Sequence, residues 1–183
     1  SGYDIVIVDN LSNSHIGVID NIEKITGGRA EFEEFDLTDG DRTAGFFEKI
    51  HGITAVIHFA AAKTDGESVQ KPLYYYENNL VSMMNLLKCQ IKFNVPYMVF
   101  SSSCTVYGQP GKLPVTEQTP RREAESPYGN TKRINEDILR DTIAANSRLR
   151  GIALRYFNPI GAHPSALIGE LPLGVPQNLV PFI

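Results

Sequence analysis

With 183 residues, 42% of them hydrophobic and 21% charged, the chain suits one soluble domain with a real core and is short for two. A net charge of −4 with no basic block argues against nucleic acid or an anionic membrane surface as partner. No apolar run approaches the ~18 residues that a membrane span needs, and Ser-Gly-Tyr-Asp at the start shows no signal-peptide pattern.

In chain order, Ile5-Val6-Ile7-Val8 reads as a buried strand closed by Asp9. A polar loop follows, and Ile16, Ile19, Ile22 and Ile25 then recur at near-helical spacing until Gly27-Gly28. Ala30 to Phe35 alternates like a strand and ends at Asp36. Asp39 to Ile50 is helical, with Phe46, Phe47 and Ile50 on its apolar face. Ile53 to Phe59 is another buried strand, about Pro72 to Phe93 a long helix, and Tyr97 to Phe100 a strand followed by a triple-serine turn. Ser126-Pro127 starts a helix, with serine as N-cap and proline at the first helical position. Gly151 to Phe157 is the last clear strand, before a loop rich in Pro and Gly. Alternating strands and helices predict an α/β fold built on a doubly wound, parallel, Rossmann-like sheet. Asp9, Asp36, Lys63, Ser103 and Asn158 all fall at or just after strand ends, where such sheets bind ligands.

Tyr128 and Lys132 are four residues apart and share a helix face. Alone, the pair is a weak signal. Its position at a helix start, after a strand that leads into Ser101-Ser102-Ser103, makes it a candidate catalytic set of Ser103, Tyr128 and Lys132. Tyrosine ionises near pH 10, and bringing it to about 7 takes about 4 kcal/mol of differential stabilisation. A neighbouring ammonium and a positively charged nicotinamide would both favour the phenolate. The phenol would then serve as a base toward an alcohol while hydride leaves the same carbon.

Asp9 has the position to accept hydrogen bonds from an adenosine ribose, favouring NAD over NADP; Asp9-Asn10-Leu11-Ser12-Asn13 is also good turn chemistry. Asp36 reads either as an adenine-side contact or as a cap of the next turn. Small residues Ala60, Ala61 and Ala62 allow close backbone approach to a diphosphate, and Lys63 follows with a cation. His58 reads as a packed core histidine. Cys89 and Cys104 lack CxxC spacing and read as free thiols of a reducing, cytoplasmic compartment, with Cys104 a small buried residue. The four histidines are dispersed, so no metal site is expected.

An ordered series of motifs carries a family resemblance. It runs through Asp9-Asn10-Leu11-Ser12-Asn13-Ser14, His58-Phe59-Ala60-Ala61, Gly66-Glu67-Ser68-Val69-Gln70-Lys71-Pro72 and Ser101-Ser102-Ser103-Cys104-Thr105-Val106-Tyr107-Gly108. Ser126-Pro127-Tyr128-Gly129, Arg155-Tyr156-Phe157-Asn158-Pro159 and Gly161-Ala162-His163-Pro164-Ser165 continue it. Together they resemble the UDP-glucose (UDP-galactose) 4-epimerases of the extended short-chain dehydrogenase/reductase family, over essentially the whole chain.

The resemblance implies NAD contacts at Asp9, Asn10, Asp36, Leu37, Phe59, Ala60, Lys63, Asn78 and Phe157. Ser103, Tyr128 and Lys132 would be catalytic, and Asn158 and Asn178, with Ser103 and Tyr128, would meet a UDP-sugar. It further implies reversible oxidation at sugar C4 and a homodimer formed through a helix pair that includes the Tyr128 helix. Residues 1–158 would form the NAD-binding domain and 159–183 the start of the substrate-binding region. Related dehydratases carry Thr-Asp-Glu where this chain has Ser103-Cys104-Thr105, so elimination lacks its acid. A non-catalytic NAD-binding scaffold is the alternative from another class, and the intact triad argues against it.

The family opens on a strand and a Gly-x-x-Gly-x-x-Gly loop that seats the diphosphate. This chain starts just before the family's second strand and stops before most of the sugar-binding region. The sheet is therefore expected to be incomplete at its first strand, and the chain alone inactive. Ala62 and Thr64-Asp65 depart from the pattern, Thr64-Asp65 replacing a small apolar pair, and Asp65 is expected to set an anion near Lys63.

Overall fold

The computed structural model describes residues 2–169. They form two compact units, one of residues 2–36 with 158–169 and one of residues 37–157, and every strand pairing among them is parallel.

In the first unit, β1 (Val6–Asp9) pairs with β2 (Glu31–Glu34) in the register Val6 to Glu31 through Asp9 to Glu34. Between them lies α1 (Gly17–Thr26), whose predicted stripe has Ile19 buried and Ile22 and Ile25 half-buried. Gly27 ends the helix in the left-handed conformation, φ 75°, donating its N–H to the Glu23 carbonyl at 2.8 Å.

The second unit contains a sheet in the order β3 (Ala55–His58), β4 (Tyr97–Ser103), β5 (Arg150–Tyr156). α2 (Gly40–Lys49) begins where Asp39 accepts from the Arg42 N–H at 2.9 Å and packs on α4 (Pro72–Lys92). α4 in turn packs against α5 (Pro127–Ala145), which also lies on β4 and β5. The core draws on Phe47 of α2, Met83, Leu86 and Leu87 of α4, Met98 and Phe100 of β4, and Leu139 of α5. Each such side chain contributes about 1.5–3 kcal/mol on burial. Close approach of α5 to β5 needs Gly151, where a Cβ would come within 2.9 Å of Ile143.

Two elements depart from the sequence reading. The serine run is no turn: β4 continues through it, with Ser101, Ser102 and Ser103 paired to Leu154, Arg155 and Tyr156. A tight 3-10 turn, Cys104–Tyr107, follows and leaves Cys104 only half-buried. α3 (Asp65–Gln70) was not expected, because its sequence has no apolar periodicity and Val69 is 63% exposed. Polar contacts hold it: Ser68 Oγ donates to the Asp65 carbonyl at 2.6 Å, and Tyr75 Oη donates to Glu67 at 2.8 Å.

Candidate active site

Parallel pairing brings the ends of β3, β4 and β5 to one edge of their sheet, and the catalytic candidates gather there. Ser103 is the last residue of β4, and its Oγ accepts from the Thr105 N–H at 3.2 Å, shaping the 3-10 turn. Opposite stands the first turn of α5. Ser126 caps it by accepting from the Gly129 N–H at 3.0 Å, and Pro127 and Tyr128 follow. Close contact with the 3-10 turn requires Gly129, where a Cβ would sit 3.2 Å from Thr105 Cβ.

Lys132, one turn beyond Tyr128, is 4% exposed. Its Nζ donates to the Ser101 carbonyl at 2.7 Å and lies 5.1 Å from the centre of the Phe100 ring and 5.7 Å from that of Tyr128. Burial lowers its pKa to about 8. No carboxylate pairs with it among the described residues. An ammonium has three donors, so two remain available to a ligand hydroxyl. The Tyr128 phenol differs from expectation: burial raises its pKa, outweighing the Ser103 hydrogen bond that lowers it, and the Asp65 charge raises it further. The ammonium's one hydrogen bond goes to Ser101, not to the phenol.

His58 is a core residue as read: 3% exposed, stacked on Phe100 with ring centres 6.0 Å apart. Burial first, and the Lys132 charge second, push its pKa down to about 3, so the ring is neutral.

After β3 the chain turns at Phe59, 63% exposed, and Ala60, both open to a ligand. Lys63 is also exposed. Asp65 forms no ion pair with Lys63 among the described residues; its Oδ1 accepts from Ser126 Oγ at 2.5 Å. Phe157, directly after β5, is 59% exposed. Leu37 is held by Asn85, whose Nδ2 donates to the Leu37 and Thr38 carbonyls at 2.9 and 3.0 Å. Asn78 Nδ2 donates to Asn79 Oδ1 at 2.9 Å.

Sequence reasoning missed Asn79, which is 1% exposed. It binds the Ala62 backbone in both directions, Oδ1 accepting at 2.9 Å and Nδ2 donating at 3.0 Å, and also reaches Thr131 Oγ1 at 3.0 Å. One amide thus ties the turn after β3 to α4 and α5. The available signal was an Asn pair inside a long helix, where asparagine is a poor helix former. Glu136 was missed too: its carboxylate takes Ser102 Oγ at 2.6 Å and Arg155 through Nε at 2.9 Å and Nη2 at 2.8 Å.

In the first unit, Asp9 Oδ1 accepts from the Leu11 N–H and Ser14 Oγ, both at 2.7 Å, and Asn10 Nδ2 donates to Asp36 Oδ2 at 2.9 Å. Leu11 turns the loop at φ 54°. The turn-capping role is therefore present, and Asp9 Oδ2 takes no hydrogen bond among the described residues. A ribose diol suits that oxygen. Asn158, two residues after β5, is exposed. Asn178 lies outside the described residues. Among those residues no cluster of His, Cys, Asp and Glu could hold a metal, and no helix is long and apolar enough to cross a membrane.

In the second unit a buried ammonium with unused donors and the exposed aromatic rings that follow β3 and β5 suit parts of a dinucleotide; in the first unit the half-satisfied carboxylate that ends β1 suits a ribose.

The sequence pattern of the NAD dependent epimerase/dehydratase family matches residues 1–172. The chain is 50% identical over its whole length to a UDP-glucose 4-epimerase of Schizosaccharomyces pombe, covering 52% of that protein. Against the UDP-glucose 4-epimerase of Bacillus subtilis it is 48% identical, again over the whole chain and 53% of the relative. A crystal structure of UDP-glucose 4-epimerase from Bifidobacterium longum, in complex with NAD+ and UDP, superimposes with a TM-score of 0.95 at 46% identity, over 99% of this chain and 54% of that one. The chain thus spans about half the length of these relatives. With the fold, the motif order and these matches in agreement, the chain belongs to the NAD dependent epimerase/dehydratase family.

Proposed function

We propose that this chain serves the NAD-dependent interconversion of UDP-galactose and UDP-glucose by reversible oxidation at sugar C4. The carrying observation is the convergence of Ser103, Tyr128 and Lys132 where β4 meets the first turn of α5, with a desolvated ammonium that no carboxylate neutralises. Homologues at 46–50% identity that are UDP-glucose 4-epimerases, one seen with NAD+ and UDP, support the substrate and the cofactor. NAD, when bound, supplies the hydride acceptor.

The chain's own residues do the rest. Tyr128 takes the proton of the 4-hydroxyl and returns it on the reverse step. Ser103, whose hydroxyl lowers the pKa of the phenol, holds the 4-hydroxyl in line. Lys132 stabilises the phenolate and orients ribose hydroxyls with its two unused donors. Asp9 and Asn10 with Asp36, and Leu37, Phe59, Ala60, Lys63, Asn78 and Phe157, are the proposed cofactor contacts. Asn158 and Asn178 are the proposed sugar-nucleotide contacts. A phenol raised by burial is a poor base when the site is empty of ligand; it becomes competent only as positive charge arrives beside it. Ser103-Cys104-Thr105 offers no acid for dehydration. Two free thiols accord with a cytoplasmic protein, and the packed α4 and α5 pair is the surface proposed for a homodimer.

The test is conversion of UDP-galactose to UDP-glucose by the protein that carries this chain, beside its Tyr128→Phe variant. Conversion that falls at least a thousandfold in the variant supports the reading. NAD binding without turnover of either sugar would replace it with a non-catalytic scaffold.

A further inference from the structure

Asp65 opens α3 and makes a contact that an apolar side chain cannot. Its Oδ1 accepts from Ser126 Oγ at 2.5 Å, and the same Ser126 oxygen accepts from the Gly129 N–H at 3.0 Å. A serine hydroxyl has one proton and two lone pairs. With its proton fixed on Asp65, its lone pair is aimed at the backbone of the turn that carries Tyr128. The carboxylate thus fastens the start of α5 to the start of α3.

We propose that Asp65 is a positioning residue for Tyr128, clamping the first turn of α5 through Ser126 and holding a negative charge at the start of the turn that carries the phenol. Of the groups around that phenol, Lys132 on α5 is cationic but turned to the Ser101 carbonyl. Ser103 and Cys104, from β4 and the 3-10 turn, are uncharged. His58 on β3 is neutral. Tyr76 on α4 accepts from Asn130 at 2.8 Å, and Glu136 is neutralised by Arg155. Glu67 on α3 is engaged by Lys71 and Tyr75. Asp65 is the one carboxylate acting on the phenol among the described residues. An anion there disfavours phenolate, so this protein needs a higher pH, or more positive charge in the site, to ionise Tyr128 than a relative with an apolar residue at that position.

The catalytic consequence rests on the proposed role of Tyr128, but a direct titration does not. In the protein that carries this chain, tyrosinate absorbance is followed against pH, with Tyr128→Phe as the blank that isolates the Tyr128 signal. Asp65→Asn keeps an acceptor for Ser126 and removes the charge; its Tyr128 midpoint moves to lower pH with thermal melting unchanged. Asp65→Ala removes both, so the midpoint moves the same way and melting falls. Because Asp65 is exposed, added salt lowers the wild-type midpoint and leaves that of Asp65→Asn in place. An Asp65→Asn midpoint that stays or rises overturns the electrostatic role. An Asp65→Ala variant that melts with Asp65→Asn overturns the clamp. If the midpoints move as stated while no sugar nucleotide is turned over, the inference stands and the epimerase reading falls.

Discussion

Arg155→Met tests whether the charge network behind the site holds it together. Glu136 and Arg155 join α5 to β5, and Ser102 adds β4. Ser102 adjoins Ser103, and Glu136 is one turn beyond Lys132. The Glu136 side chain is 7% exposed, so removing Arg155 leaves a buried carboxylate with Ser102 at 2.6 Å and Arg121 at a distant 3.4 Å. Breaking one side of such a pair costs about 3 kcal/mol at neutral pH. The pH dependence is a sharper signature. In the wild type, burial pushes the Glu136 carboxyl up, but Arg155, Ser102 and Arg121 together bring it below its ordinary value. Its contribution is therefore fully present above about pH 4.3, the unfolded value, and is lost as pH falls through the lower folded value. Without Arg155, burial dominates, and the carboxyl of the variant takes up a proton at higher pH in the folded state than in the unfolded one. The gap between the two proteins accordingly narrows on acidification from pH 7 toward 5. Urea unfolding at both pH values measures it, with unchanged m-values as the check on two-state behaviour. A loss under about 1 kcal/mol at pH 7, or a gap that stays level on acidification, would refute the reasoning.

Two further outcomes follow from buried titratable groups. His58, neutral in the fold with a pKa near 3, must stay unprotonated while the unfolded ring charges below about pH 6.5; stability should fall by up to about 1.4 kcal/mol per pH unit below that point, and His58→Leu should flatten this slope in urea unfolding between about pH 6 and 4. Lys132 is protonated at pH 7 at the expense of stability, since its folded pKa of about 8 lies below the ordinary 10.5; linkage makes this about 3 kcal/mol. Less about 1 kcal/mol for the orphaned Ser101 carbonyl, Lys132→Met should be about 2 kcal/mol more stable than wild type at pH 7 and lose that lead by about pH 10, while failing in turnover. A variant less stable at pH 7 would sink the argument.

Most of the fold was legible because apolar periodicity and caps are local signals. Ile5-Val6-Ile7-Val8, the Ile16–Ile25 stripe and Ser126-Pro127 each declared an element within a residue or two of where it lies. What escaped is held by contacts distant in sequence. α3 depends on Tyr75 reaching back to Glu67, and the serine run is a strand because β5 pairs with it. Of the candidate site, Ser103, Tyr128 and Lys132 could be picked out from spacing and context, but not the amide of Asn79 or the carboxylate of Glu136. Polar residues buried on helix faces look in sequence like ordinary surface positions, and only tertiary structure shows which backbone groups they satisfy. The direction of the Tyr128 shift was likewise out of reach, since it turns on where Lys132 places its ammonium and on how deeply the phenol is buried.

The contrast between Lys132 and Glu136 shows how structure becomes function here. Both are charged, both are buried, and they lie one turn apart on α5. Glu136 is answered by a bidentate guanidinium and a hydroxyl, so its charge is neutralised and its geometry fixed. That is how a fold treats a charge that only holds elements together. Lys132 receives one carbonyl and two ring faces, which compensate an ammonium only in part. A folding requirement alone would have replaced it with an apolar side chain of similar length. A ligand rich in hydroxyl or anionic groups would supply the remaining compensation and would bind with a free-energy gain that the fold alone forgoes. The ionic pair is thus a satisfied link between α5 and β5, whereas Lys132, one turn away, keeps two donors unused.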